Sequence, residues 1–392
     1  MNTDSPAISP QQMDTSHLPR LLVFELRLMG DAVMSLPFIR AAQARFEVHV
    51  CCSPAAEPIF RMVLPHTQVH RWHPPWLAAQ DSRFAPLANI AALRDMAGQL
   101  KALQATHAVC SWCDPRTGLL MSWTGVPSRI GFASHRDNFY GRHLAWRRRQ
   151  LVIARAIETI VQLASRRPLL TQALRRRDYG QHHVEDWRQI ADTLGLEFDT
   201  TQPWLHGAGP PSATRASSAC YDPADATAVQ DTRRRPRIAI HPGASEAQKR
   251  WPLSHFLRLG HVLAEHYEVS FIEPPELGLD EAVRRHFPVI ATASLAELAA
   301  YLGGIDVLIG NDAGVGHLAA ARGLPVIAIF LSSDARHFAP YTSRELVISF
   351  DGACAVRPCF GRCTQPALLC HLPADYETVA SRVTASLARL LP

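Results

Sequence analysis

Short apolar runs rich in Val and Ile alternate with longer stretches of helical spacing, and this alternation constrains the fold more than any other feature. In the first half the candidate strands are residues 21–26, 46–52, 108–112 and 129–132. In the second half they are residues 238–241, 269–273, 307–310, 326–330 and 346–350. Continuously apolar strands set between helices are buried on both faces, which is the pattern of parallel sheets covered by helices. Two such series predict two doubly wound α/β domains. Residues 200–236 separate them, crowded with Pro, Ser, Thr and Ala and carrying Arg233, Arg234 and Arg235, and read as a linker. The predicted organisation is a polar lead-in over 1–19, a first domain over 20–199, the linker, and a second domain over 237–374. A closing helix over 375–392, with Val379, Val383, Leu387 and Leu391 at helical spacing, can return to the first domain.

Composition enters as a boundary. With 392 residues and 47% apolar side chains the chain can build two cores. A formal net charge of +5 is too small to imply nucleic acid as a partner. No run approaches the roughly 18 apolar residues that span a bilayer, and the polar N-terminus lacks the pattern of a secretory signal, so a cytoplasmic protein is expected. Lysine occurs only at Lys101 and Lys249, all other basic side chains except histidine being Arg. Lysine kept in so Arg-biased a chain points to a site where the two are not interchangeable.

Ligands of open parallel sheets sit beyond the carboxyl ends of the strands, so the chemistry belongs in the loops that follow them. The first such loop is Arg27-Leu28-Met29-Gly30-Asp31, followed by a helix with Ala32, Val33, Leu36, Ile39 and Ala42 on its apolar side. Gly30 permits a tight turn and close approach to a ligand. Asp31 reads either as a carboxylate serving the helix N-terminus or as a general base for an acceptor hydroxyl. The second loop is His241-Pro242-Gly243-Ala244-Ser245, running on to Lys249-Arg250-Trp251-Pro252 and a helix with Phe256, Leu259 and Val262. Gly243, Ala244 and Ser245 can offer backbone N–H groups to an anion, and Lys249 adds charge where a pyrophosphate leaving group would need it. The alternative is a solvated basic turn. The third is Gly310-Asn311-Asp312-Ala313-Gly314-Val315-Gly316-His317, opening a helix of small residues. Asp312 can accept hydrogen bonds from a sugar, and the helix N-terminus can hold phosphate. A glycine-rich turn alone is a weak signal; with the Lys249 loop before it, the signal is stronger.

These three motifs together resemble glycosyltransferase family 9, the ADP-heptose:lipopolysaccharide heptosyltransferases. The resemblance rests on Arg27, Gly30 and Asp31; on Pro242, Gly243, Lys249, Trp251 and Pro252; and on Asn311, Asp312, Gly314 and His317. Arg116-Thr117-Gly118, Gly125 and Arg129-Ile130-Gly131-Phe132 also look like the family's first domain. The resemblance implies a GT-B fold, two Rossmann-like domains facing each other across a cleft, with the acceptor in the first and the donor in the second. It implies an inverting, metal-independent transfer with Asp31 as base and Lys249 neutralising the donor pyrophosphate. Gly243, Ala244, Ser245, Asp312, Ala313, Gly314 and His317 would line the donor pocket, with Glu276 on the ribose and Arg27, Gly30, Asp114 and Arg116 toward the acceptor. Asp114 is the alternative base. The implied donor is ADP-heptose and the implied acceptor a cell-envelope glycan or glycolipid, with peripheral contact to the inner membrane. Replacing Asp31 or Lys249 by Ala is expected to abolish transfer and leave the fold intact. Ala313 stands where the family usually has Thr or Ser, and Pro274-Pro275 replaces a Gly-containing turn, so the donor is the less fixed part of the reading.

Three other readings stay open: a related transferase with another donor or a protein acceptor such as an autotransporter, a non-catalytic nucleotide-sugar binder, and a sugar-nucleotide epimerase. Cys354, Cys359, Cys363 and Cys370 cluster near the C-terminus and allow a structural zinc or iron, against plain reduced thiols. Cys110-Ser111-Trp112-Cys113 reads as core packing. The arginines between 136 and 188, including the run Arg175-Arg176-Arg177, read as solvated helix faces or as a surface for a phosphorylated lipid. Trp72, Trp76 and Trp146 fit such an interface or ordinary packing.

Overall fold

The structure, a computed structural model, describes residues 18–75, 86–112, 114–132, 168–176, 180–201, 203–205, 234–275, 277–279, 281–350, 354, 363, 365 and 367–391, the side chains of 86–89 excepted. The first sheet holds β1 (Arg20–Glu25), β2 (Glu47–Cys52), β3 (Val69–Arg71), β4 (His107–Cys110), β5 (Ser128–Phe132) and β6 (Gln172–Leu174), all parallel, in the order β3-β2-β1-β4-β5-β6. Its helices are α1 (Met29–Gln43), α2 (Glu57–Arg61), α3 (Pro86–Lys101), α4 (Pro115–Trp123) and α5 (His183–Thr193). The second sheet holds β7 (Arg237–His241), β8 (Glu268–Ile272), β9 (Val289–Ile290), β10 (Val307–Asn311), β11 (Val326–Phe330) and β12 (Ile348–Ser349), again parallel, in the order β12-β11-β10-β7-β8-β9. Around it lie α6 (Leu253–Leu263), α7 (Glu281–His286), α8 (Leu295–Leu302), α9 (Gly314–Ala321), α10 (Ala335–Phe338) and α11 (Tyr376–Leu390).

In each sheet the strand order reverses beside the first strand, between β1 and β4 and between β7 and β10. Loops leaving strands on either side of that point diverge and open a crevice. The Asp31 loop leaves β1, and the Lys249 and Asp312 loops leave β7 and β10.

Helix α1 joins the two crevices. Its buried positions run all round, including Met34 and Phe38 as well as the expected Ala32, Val33, Leu36, Ile39 and Ala42. One apolar cluster therefore continues from Val33, Phe38 and Trp187 of the first domain into Val315, Leu318 and Ala319 of α9, with Phe38 stacked on Trp187 at 4.9 Å. A helix buried on every side is a core element between layers. Here it makes the domain seam a packed surface.

Three sequence expectations are corrected. The closing helix α11 packs on the second domain, not the first: Val379, Val383 and Leu387 join the core of Trp251, Phe256 and Phe271, and the Trp251 indole donates to Ala374 O just before the helix. The linker begins later than expected, because Trp204 and Leu205 are buried and both donate backbone N–H groups to Ala321 O at the end of α9. Val262 points to solvent; the buried stripe of α6 is Phe256, Leu259, Gly260 and Leu263.

Candidate active site at the domain seam

Asp31 is the third residue of α1. Its carboxylate accepts the Leu28 backbone N–H at 3.1 Å and lies 3.8 Å from Arg27 Nε. It thus serves the helix N-terminus, as one of its two readings expects, and it lies at the seam. Arg27 stretches over the Trp112 ring, 4.2 Å from its centre, and Trp112 in turn packs on His183 at 4.4 Å. Trp112, expected as core packing, does belong to the buried core of the first domain, and it carries Arg27 on its ring. Asp114 caps α4 by accepting from Arg116 N, and its oxygens also take the Arg116 side chain at 3.0 and 2.8 Å. Asp114 is thus held both by its own helix and by the Arg116 side chain.

Across the seam, Lys249 Nζ lies 2.9 Å from Asp312 Oδ2, and Ser333 Oγ donates to the same oxygen at 2.5 Å. Burial pulls the Lys249 ammonium toward its neutral form, but the Asp312 charge and hydrogen bond outweigh this and leave its pKa raised. Burial likewise works against the Asp312 carboxylate, and Lys249 with Ser333 brings it below the usual range. The two shifts agree: the pair is ionic. Burial drives His317 down to about 4, so its ring is neutral. Asn311 pins the loop that carries Lys249, donating to Pro242 O at 2.7 Å and accepting from Trp251 N at 3.0 Å. Arg250 folds back to Ala244 O at 2.8 Å. Gly243 and Ala244 are buried within this loop while Ser245 is exposed. Glu276 and Cys359 lie outside the described residues.

The N-termini of α1 and α9 meet. A methyl group at Gly30 would stand 2.8 Å from His317 Cδ2, and one at Gly314 would collide with Met29. Ala313, at the cap of α9, offers no side-chain acceptor to the first N–H groups of that helix. Two helix N-termini brought together concentrate positive potential and favour an anion between them.

Behind the site lies a buried polar cluster that sequence reasoning missed. Asp186 takes two contacts from Arg176 Nε at 2.9 and 3.0 Å and one from Nη2 at 2.6 Å, and His183 Nδ1 lies 3.1 Å away. His337 Nδ1 donates to Gln181 O at 2.6 Å, and His182 Nε2 donates to Ala339 O at 2.8 Å, both across the seam. Arg176 is therefore neither a solvated helix face nor a lipid contact. Among the described residues, His183, Asp186 and His337 are the one set of metal-ligand side chains whose ligand atoms gather within 4.8 Å; Cys354, Cys363 and Cys370 form no such set. Arg176 already neutralises Asp186, so a divalent cation would bring two uncompensated charges into a fully buried place. The cluster fits a hydrogen-bonded fastening between domains.

The sequence model of glycosyltransferase family 9 (heptosyltransferase) matches residues 152–365, more than half of the chain. The chain belongs to glycosyltransferase family 9. The lipopolysaccharide core heptosyltransferase OpsX of Haemophilus influenzae is 27% identical over 124 residues, covering 29% of this chain and 36% of that protein. Lipopolysaccharide heptosyltransferase 1 of Pseudomonas aeruginosa is 26% identical over 211 residues, covering 51% of this chain and 55% of that protein. The matched stretches thus span only part of the length of either relative. The structure of E. coli heptosyltransferase WaaC with ADP-2-deoxy-2-fluoro heptose aligns at a TM-score of 0.58 and 17% identity, over 94% of this chain and 99% of that one, which establishes the GT-B fold. Among the described residues of this family 9 member, no helix is long and apolar enough to cross a membrane.

Proposed function

We propose that this protein is an inverting glycosyltransferase that moves heptose from ADP-heptose to an acceptor of the lipopolysaccharide core. The observation that carries the reading is the meeting of Lys249, Asp312, His317 and the α9 N-terminus with Asp31 and the α1 N-terminus at one seam. In this reading Lys249 and the helix N–H groups receive charge on a departing pyrophosphate, as a metal would otherwise do. In this reading Asp31 takes the proton of the attacking hydroxyl. The two curated relatives, both lipopolysaccharide heptosyltransferases, support the sugar and the acceptor class.

Nucleotide-dependent melting tests the donor. At a hundredfold excess over its dissociation constant a ligand adds about 2.7 kcal/mol to the native state. ADP is expected to raise the melting temperature more than UDP, GDP or CDP at equal concentration. A preference for UDP would remove ADP-heptose and keep the transferase; donor binding without transfer or hydrolysis would mark a non-catalytic binder.

Close approach at Gly30 gives a second test. In Gly30→Ala the added methyl must push His317 or separate α1 from α9, a strain of about 1–3 kcal/mol. Transfer is expected to fall by roughly tenfold or more, since the displaced groups are those that contact substrate. Melting temperature and turnover measured together check this; wild-type turnover would show that the approach is not needed.

A further inference from the structure

Glu25, the last residue of β1, is fully buried at the ligand end of the first sheet. It is the only charged side chain in the run 21–26. Its Oε1 accepts the Arg27 backbone N–H at 3.2 Å, while Oε2 meets no hydrogen-bond donor at good geometry among the described residues. A second carboxyl group, Asp31, shares its surroundings, and the nearby Arg27 guanidinium lies 3.8 Å from Asp31 and over Trp112. Two buried carboxylates beside one guanidinium leave an uncompensated negative charge, and a proton on one of them removes it.

We propose that Glu25 is a positioning residue, a buried carboxyl group behind Arg27 that leaves the guanidinium to Asp31 and so holds the base in place. This rests on Asp31 being the base. The groups around Glu25 set its affinity for a proton. Burial raises its affinity for a proton, the Asp31 charge raises it further, and the Arg27 N–H and charge and the Trp112 indole oppose this without cancelling it. From β2, Cys52 faces it as a neutral thiol, pushed by burial up to about 12. As pH rises, Glu25 is thus the member of the group whose ionisation places a new charge next to Asp31 and competes for Arg27.

The test compares Glu25→Ala, Glu25→Gln and Asp31→Asn with wild type across pH. A Gln amide presents a carbonyl acceptor and an N–H donor in the places of the neutral acid. Glu25→Ala is expected to lower transfer about tenfold or more through lost orientation of Arg27 and Asp31, and Glu25→Gln to rescue most of that near neutral pH. The alkaline decline of wild-type transfer is expected to move upward by about one pH unit or more in Glu25→Gln, because the ionising group is gone. Infrared spectra at neutral pH should show a protonated-acid carbonyl band in wild type that Glu25→Gln lacks. Two outcomes overturn the inference: Glu25→Gln as inactive as Glu25→Ala with the fold retained, or a wild-type profile unchanged by Gln. Asp31→Asn separates the two readings. If it transfers normally, the base assignment falls, and the infrared band still reports on Glu25; if it is inactive while the Gln profile matches wild type, only the role of Glu25 falls.

Discussion

Asp31→Asn is expected to slow transfer by roughly two to four orders of magnitude, the usual contribution of a positioned general base, while barely changing the melting temperature. An Asn at this place can still accept the Leu28 N–H, so what the fold loses is a helix-terminal charge, about 0.3–1 kcal/mol. Lys249 behaves differently, and here the structure changes the expectation drawn from sequence. Removing a comparable donor to a developing anion costs about 3 kcal/mol of barrier, a hundredfold or more in rate. In addition, Lys249→Ala leaves the buried Asp312 carboxylate with Ser333 alone, and an orphaned buried charge costs about 3–5 kcal/mol of stability. Lys249→Ala should therefore be both inactive and unstable. The double variant Lys249→Met with Asp312→Asn removes both charges, and it should recover most of the stability and none of the transfer. Denaturant midpoints and turnover for the single and double variants decide this. Recovery of both together would mean that Lys249 serves only the fold.

What the sequence made legible follows from where each signal is local. The central strands of both sheets are continuous apolar runs because neighbours and helices cover them, so they could be read. Three of the four edge strands, β3, β6 and β9, have only two or three residues and lie in no apolar run that could be found. Helix α1 looked one-sided because a helical pattern records the face toward its own sheet; nothing in residues 29–43 announces that α5 and α9 bury the rest. The motif residues of the Lys249 and Asp312 loops were readable since strand, glycine and cation lie within a dozen residues of one another. The seam was not. His337 comes from a segment about 150 residues away from Arg176, His182 and His183, and no local feature separates Arg176, buried against Asp186, from Arg175 beside it, which is exposed. Glu25 and Ser333 are different cases: a lone charge in a doubly covered strand and a hydroxyl just past the ligand end of β11 were both visible, and either could have been singled out on position alone.

Mild acid is expected to unfold the protein, beginning at the seam. Burial lowers the pKa of His182, His183 and His337 to about 3 and of His241 and His317 to about 4, so all are neutral in the folded chain. Their unfolded value is near 6.5. Depressed histidines contribute their full stability above that value and lose it as pH falls toward the folded values, because the unfolded chain binds the protons first. Each loses about 1.4 kcal/mol per pH unit in that window. Glu25 and Asp186, whose pKa values burial raises, work in the opposite direction and offset part of the loss. A net uptake of even three protons gives about 4 kcal/mol per pH unit, against a typical total stability of about 5–15 kcal/mol. Urea midpoints between pH 7.5 and 4.5 should therefore fall steeply below 6.5, and His337→Gln, which keeps a donor for Gln181 O, should reduce the slope by about one proton. Because three of these histidines fasten the second domain's α10 region to the start of α5, ADP-dependent stabilisation should disappear at a higher pH than the secondary structure does. A flat midpoint between pH 7 and 5 would mean that the seam takes water and protons without opening, and that the packing of α1 against α9 holds the domains together by itself.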